Sequence, residues 1–291
     1  MSFKPLSIGL CAAILLSSCQ PNSTQLFETA NQHFANQAYE EAIPIYESLL
    51  IKDSGNVNIY PKLAISYAYT SNWERCTHYG EIAFDKGVDY FPLYDSVVKC
   101  YDAQGQTDKV RALYQEGLRK YPDRYEFELE YGLFEFSQQN LSDAAAIFER
   151  LSQINPQNAD FSYNAAATFE ALEQLDKAET YYRQVLEHHP DHANASYGLG
   201  SLYDKRKQAD IAIGFFEKAL KYHPQHLSAL MNLARLQEAK SPQEALKTWQ
   251  KYLDLAEKNQ QPENFINQAK EHLQRLGGGA PVPNEKPPQD G

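Results

Sequence analysis

The chain has 291 residues, 43% of them hydrophobic and 22% charged, and an excess of acids sets its formal net charge at −11. That balance supplies enough apolar residues for a sizeable core and speaks against electrostatic attraction to nucleic acid or to an anionic membrane surface. Affinity for basic partners stays open beside the simpler reading, in which a negative surface keeps the protein soluble.

Residues 1–18 contain one Lys, no acid and an apolar run from Leu6 to Leu16. Such a run is too short to span a bilayer and has the shape of a secretory signal that is cleaved, not folded. The junction Leu16-Ser17-Ser18-Cys19 resembles the bacterial lipobox, the alternative being an ordinary signal with an incidental cysteine. The resemblance implies that Cys19 becomes the new N-terminus and carries acyl chains. It also implies outer-membrane sorting, because Gln20 and not Asp follows the cysteine. Each buried methylene contributes about 0.8 kcal/mol, so two chains anchor far more firmly than one. Loss of Lys4 with the signal moves the net charge from −11 to −12.

From here to about residue 260 the chain has a period. A small residue recurs every thirty-four positions at Ala30, Ala64, Val98, Gly132, Ala166, Gly200 and Ala234. A second row follows twelve positions later through Ala42, Cys76, Val110, Ala144, Ala178 and Ala212, and a third holds Tyr46, Tyr114, Phe148, Tyr182 and Phe216. Self-similarity at this period predicts stacked helix pairs, each leaning on its neighbours to bury its apolar face. Within Ala159 to His192, apolar residues three or four apart form two amphipathic runs. The small rows are expected where two helices nearly touch, as at Gly200 and Ala212, with the aromatic as a wedge that fills the seam elsewhere. Pro122, Pro156, Pro190 and Pro224 stop the second helices, whereas the first two pairs end less sharply, at Ser54 and Val88.

These rows resemble the tetratricopeptide repeat. One repeat carries the pattern in Tyr60, Leu63, Ala64, Tyr67, Cys76 and Ala83, another in Tyr94, Val98, Tyr101, Gly105, Tyr114, Gly117 and Pro122. The likeness spans roughly Ser23 to Gln260 and implies an all-α fold: a right-handed superhelical solenoid of about seven helix pairs plus a C-terminal capping helix. Departures are local. Gly80 replaces the second wedge, Pro44 sits inside a helix, and the seventh repeat loses one residue before Ala245, with Trp249 as its wedge. The predicted organisation is a signal at 1–18, a lipidated linker at 19–22, the array at 23–260, a capping helix at 261–276 and a disordered Gly/Pro-rich tail at 277–291. The cap has Phe265, Ile266, Ala269, Leu273 and Leu276 on one face.

Candidate chemistry is sparse, and no enzyme activity or cofactor is assigned. Cys76 and Cys100 stand in small core positions and are read as buried free thiols, with a bridge as the alternative. His188, His189 and His192 surround Pro190, and His223 and His226 surround Pro224, so five imidazoles on one edge suggest an alternative zinc or nickel site. The competing reading is ordinary helix-end histidines. Gly198-Leu199-Gly200-Ser201 is half of a dinucleotide loop, but Tyr203 stands where the third glycine belongs and no strand precedes it.

The resemblance implies that the first helix of each pair lines a concave groove. Phe27, Leu129, Leu133, Phe136, Tyr163, Tyr197 and Met231 fall on groove positions, with Asp95, Asp102, Glu126, Glu130, Glu170, Asp204 and Glu238 as an acidic border. The Lys and Asn set that clamps a C-terminal carboxylate in the family is missing, since Lys99 and Arg235 stand alone. An apolar groove with acids suits a protein or peptide client carrying apolar and basic residues. The alternative is that the chain's own helices or tail cover it. The expectation is an outer-membrane lipoprotein in the periplasm that holds a client for envelope, pilus or secretion assembly, or docks cell-wall enzymes. A metal-binding protein using the histidine edge and a self-associating structural module are the alternatives.

Overall fold

The computed structural model describes residues 22–277, which form fifteen α-helices and no strand. The signal, Cys19 and the tail beyond Gly277 lie outside the described residues. The chain divides at Asp123/Arg124 into two compact bodies. The N-terminal body pairs α1 (Ser23–Ala35) with α2 (Tyr39–Lys52), α3 (Ile59–Tyr69) with α4 (Trp73–Asp85), and α5 (Phe91–Ala103) with α6 (Thr107–Lys120). In the C-terminal body α7 (Tyr125–Ser137) pairs with α8 (Leu141–Ile154), α9 (Ala159–Ala171) with α10 (Leu175–His188), and α11 (Ala193–Lys205) with α12 (Ala209–Tyr222). There α13 (Leu227–Gln237) pairs with α14 (Pro242–Lys258), and α15 (Glu263–Gly277) packs on α14. The second helices α6, α8, α10 and α12 each stop two residues before the expected proline.

The turn inside each of the first six pairs has one geometry. Gln37, Ser71, Gly105, Gln139, Glu173 and Lys207, thirty-four residues apart, all have φ between 58° and 69°. In the first pair the amide of Ala38 reaches back to the carbonyl of His33 and that of Gln37 to Phe34. The same two bonds recur at Gln174 and Glu173 of the fifth pair. This doubly bonded helix end satisfies carbonyls that would otherwise be orphaned, at the cost of a left-handed residue. Only Gly105 adopts that conformation without the Cβ penalty.

The small rows are buried as the period predicts, but they do a different job at the glycines. A Cβ on Gly132 would lie 2.5 Å from the Phe148 ring, and one on Gly200 would lie 2.6 Å from Phe216. The wedge therefore sits directly on the small residue of its own pair and does not fill the seam elsewhere. Gly198 likewise faces Tyr182, the wedge of the preceding pair, at 2.4 Å. The Gly198-Leu199-Gly200 run is thus helix α11 seated between two aromatic rings. At Gly80, where the wedge is missing, Val97 of α5 enters the space, with Cγ2 at 2.5 Å from an added Cβ.

Cys76 and Cys100 correct the free-thiol expectation: they form a disulfide joining α4 to α5, with Cα atoms 6.3 Å apart. Both are fully buried in a cluster with Ala30, Ala42, Tyr46, Leu63 and Tyr67. Small core positions of adjacent repeats face each other across the seam, which brings the two side chains within bridging reach. The terminal helix docks as an amphipathic cap through Ile266, Ala269, Leu273 and Leu276, while Phe265, assigned to the same face and 39% exposed, lies at its edge and lines a small cavity with Leu227, Met231 and Tyr252. An unforeseen node adds to the cap. His272 stacks on Trp249 with ring centroids 4.4 Å apart, and its Nδ1 is 2.6 Å from Glu238, which also binds Trp249 Nε1 and Arg275.

Candidate client groove

The groove residues of the C-terminal body recur on equivalent positions of its first helices. Leu129 of α7, Tyr163 of α9, Tyr197 of α11 and Met231 of α13 are one period apart, and all are half-buried. Leu133 of α7 is 44% exposed, and Phe136, like Leu129, packs at the margin of the core. The Tyr163 ring lies 5.9 Å from Tyr182 and 5.3 Å from His192. The Tyr197 ring repeats the arrangement, 5.7 Å from Phe216 and 4.7 Å from His226, and its hydroxyl accepts from Asn232 at 3.4 Å. Burial pushes the Tyr163 pKa up, helped by the nearby Glu170 and by Tyr197. These tyrosines are semi-rigid platforms, each backed by a wedge and flanked by an imidazole.

Much of the acidic border is paired within the protein. Glu170 accepts from the Tyr182 hydroxyl at 3.0 Å, from Ser201 at 3.3 Å and from Lys205 at 2.7 Å, so it ties α9, α10 and α11 together. Asp204 binds Arg235, and Asp95 in the N-terminal body binds Lys99 at 2.8 Å. Glu238 belongs to the α15 node described above. Glu126 and Asp102 remain exposed. In the N-terminal body Phe27 packs edge-on to Tyr46, with centroids 6.2 Å apart, and lines a small cavity with Leu49 and Ile59.

The five histidines do not gather into a metal site. His192 and His226 are helix N-caps, taking the amides of Ala195 and Ala229 into Nδ1 at 3.0 and 3.2 Å. His189 binds the Gln157 carbonyl at 2.8 Å through Nε2. His188 closes α10, and the His223 ring lies 5.7 Å from His226. Among the described residues no group of three or more His, Cys, Asp or Glu side chains is arranged to hold a metal ion.

Sequence-family models for the tetratricopeptide repeat match residues 101–159, 135–199 and 208–262. The chain belongs to the tetratricopeptide repeat family. No curated protein matches it. Among solved structures, this tetratricopeptide repeat protein is similar to the C-terminal part of a TPR repeat-containing protein from Cytophaga hutchinsonii. That pair is 17% identical, covers 85% of this chain and 99% of that one, and has a TM-score of 0.70. It is also similar to YrrB, described as a TPR protein with an unusual peptide-binding site, at 17% identity over 64% of this chain and 96% of that one, TM-score 0.55. MamA from Desulfovibrio magneticus RS-1 is 21% identical over 58% of this chain and 96% of that one, TM-score 0.51. At these identities the likeness establishes the fold.

The repeats carry a second periodic feature that the small rows do not announce. Glu47 of α2 accepts from the Tyr67 hydroxyl at 2.7 Å and pairs with Arg75, whose guanidinium lies over the Tyr67 ring. One period later Glu81 accepts from Tyr101 at 2.6 Å and from Lys109, which lies over the Tyr101 ring. In the C-terminal body Glu149 accepts from Tyr181 at 3.0 Å and from Lys177, which covers Phe169. The recurrent Glu, then an aromatic twenty residues on (Tyr67, Tyr101 or Phe169), then a cation eight further, is the signal in the sequence that marks it. Two acids the patterning also missed are buried: Glu128 pairs with Arg150, and Glu135 accepts from Asn140 at 2.6 Å. A buried carboxylate is tolerated when such partners replace water.

Proposed function

We propose that this protein is a scaffold that captures a protein client along the first-helix face of its C-terminal body, and that it acts by binding and not by catalysis. The observation that carries this reading is the pair of tyrosine platforms, Tyr163 and Tyr197, set one period apart between the apolar Leu129, Leu133 and Phe136 on one side and Met231 on the other. Rigid half-buried aromatics are the residue type that dominates binding energy at interfaces. Because Glu170 and Asp204 already hold cations, apolar anchors and not basic residues of the client supply the affinity. The peptide-binding site in YrrB's description supports the use of such a surface for a peptide or an extended segment.

The chain's setting is proposed to be the periplasmic face of an outer membrane, to which lipid on Cys19 would tether it for envelope, pilus or secretion assembly or for docking cell-wall enzymes. Support comes from the lipobox-like junction and from the buried Cys76–Cys100 disulfide, a bond that persists in oxidising compartments. No helix among the described residues is long and apolar enough to cross a membrane. One envelope-extract experiment tests both halves. The variant Tyr163→Ala/Tyr197→Ala should lose the client in a pull-down while keeping its helical content, because truncating a central aromatic costs about 2 kcal/mol or more. Leu133→Ala, at an exposed position, should weaken capture without touching the core. Cys19→Ala should abolish detergent-dependent membrane association and leave capture intact. Wild-type recovery of the client by the tyrosine variant sinks the groove reading, and unchanged association of the Cys19 variant sinks the anchor.

A further inference from the structure

α11 and α13 start with the same uncommon cap. His192 and His226 stand one period apart, and each accepts, at ring Nδ1, the amide N–H three residues on, 3.0 Å from Ala195 and 3.2 Å from Ala229. The usual caps are Ser, Thr, Asn and Asp, whose oxygens accept throughout the neutral range. An imidazole accepts at Nδ1 only as the neutral tautomer carrying its proton on Nε2, and a second proton sets a donor against a donor. α9 supplies the contrast within the same body. Its cap is Asn158, whose side-chain oxygen accepts from Asp160 and Phe161 at 2.9 and 3.3 Å and has no proton to gain near neutrality.

Each capping ring also flanks a groove tyrosine, His192 at 5.3 Å from Tyr163 and His226 at 4.7 Å from Tyr197. We infer that His192 and His226 form a pH-responsive pair of helix caps, so that acidification uncaps α11 and α13 and loosens both groove tyrosines while α9 stays capped. The bearing on client capture rests on the groove reading above; the uncapping does not.

The surroundings set the direction. Burial lowers the pKa of both rings. A hydrogen bond to its own backbone, Asp160 of α9 and Asp191 of the preceding loop favour the charged form of His192, and His189 opposes it. His223 opposes charge on His226, and a hydrogen bond to its own backbone favours it. The remaining titratable side chains facing the two rings are Tyr163 and Tyr197. With the folded-state pKa below the unfolded value, the unfolded chain takes up the proton first. The caps' contribution is therefore complete above about pH 6.5 and is lost as pH falls through that value toward the lowered folded-state pKa.

Amide hydrogen exchange on the full protein without client, corrected for intrinsic rates and compared between about pH 7.5 and about pH 5, tests the inference. Protection of the Ala195 and Ala229 amides should fall roughly fivefold on acidification relative to the Phe161 amide of α9, the effect of losing one cap. His192→Asn/His226→Asn installs caps that do not titrate and should hold neutral-pH protection at the lower pH. Equal changes at all three helices in the wild type, or full pH dependence surviving in the Asn variant, overturns it. Since no client is present, this result is independent of the tyrosine pull-down.

Discussion

In the C-terminal body every helix pair carries a buried aromatic wedge, Phe148, Tyr182, Phe216 or Trp249. The N-terminal body has Tyr46 and Tyr114 in its outer pairs, but its middle pair holds Gly80 at that place, with Val97 filling the space and a disulfide one helical turn from it. It also carries Pro44 on the exposed side of α2. The difference shows two ways of closing the same seam: a repeated noncovalent fit where the pattern is kept, and a single covalent tie where it lapses.

The comparison can be broken most forcefully at the tie. Cys76→Ala/Cys100→Ala closes no loop in the unfolded chain, and for a separation of 24 residues it should cost about 3 kcal/mol. Loss of amide protection should concentrate in the N-terminal body. A denaturation midpoint equal to that of the oxidised parent would show that the bridge compensates for nothing. Next comes the noncovalent fit. Gly200→Leu forces a side chain into the Phe216 ring and should cost about 1–3 kcal/mol or more. Its signature is lost protection between residues 159 and 260, and undiminished protection there would contradict the wedge-on-glycine packing. The smallest effect sharpens the comparison at a feature both bodies share. Glu173→Gly or Lys207→Gly removes a left-handed Cβ penalty and should gain about 0.5–1 kcal/mol, whereas Gly105→Ala in the N-terminal body should lose a similar amount. Melting temperatures that move the same way for all three would refute the shared turn.

The fold was legible because burial imposes the same demand every thirty-four residues, so Ala30 and Ala234 report one constraint from opposite ends of the array. The groove was legible only in part. Tyr163 and Tyr197 stand out as aromatics off the core rows, but Glu170 looks like a free surface charge until Lys205, thirty-five residues later, is seen to close on it. The two cysteines likewise require the distance across a seam, which no spacing along the chain contains. His192 and His226 follow the prolines that end the preceding helices; their chemistry belongs to the helices after them, whose first-turn amides they hold. His272 was hidden for a further reason: the stack on Trp249 depends on how the last helix docks, where the period no longer applies.

Gly198 has a consequence for how such a protein can change. It receives the Tyr182 ring, while the equivalent positions of α9 and α13 hold Asn164 and Asn232. The copies are thus interchangeable in length but not in shape. Excising one whole period between Tyr182 and Asn232 would keep every helix in phase and still bring a side chain into the space the ring occupies. Tyr182 and α11 fit only as a pair, so repeats of equal length stand in a fixed order of parts.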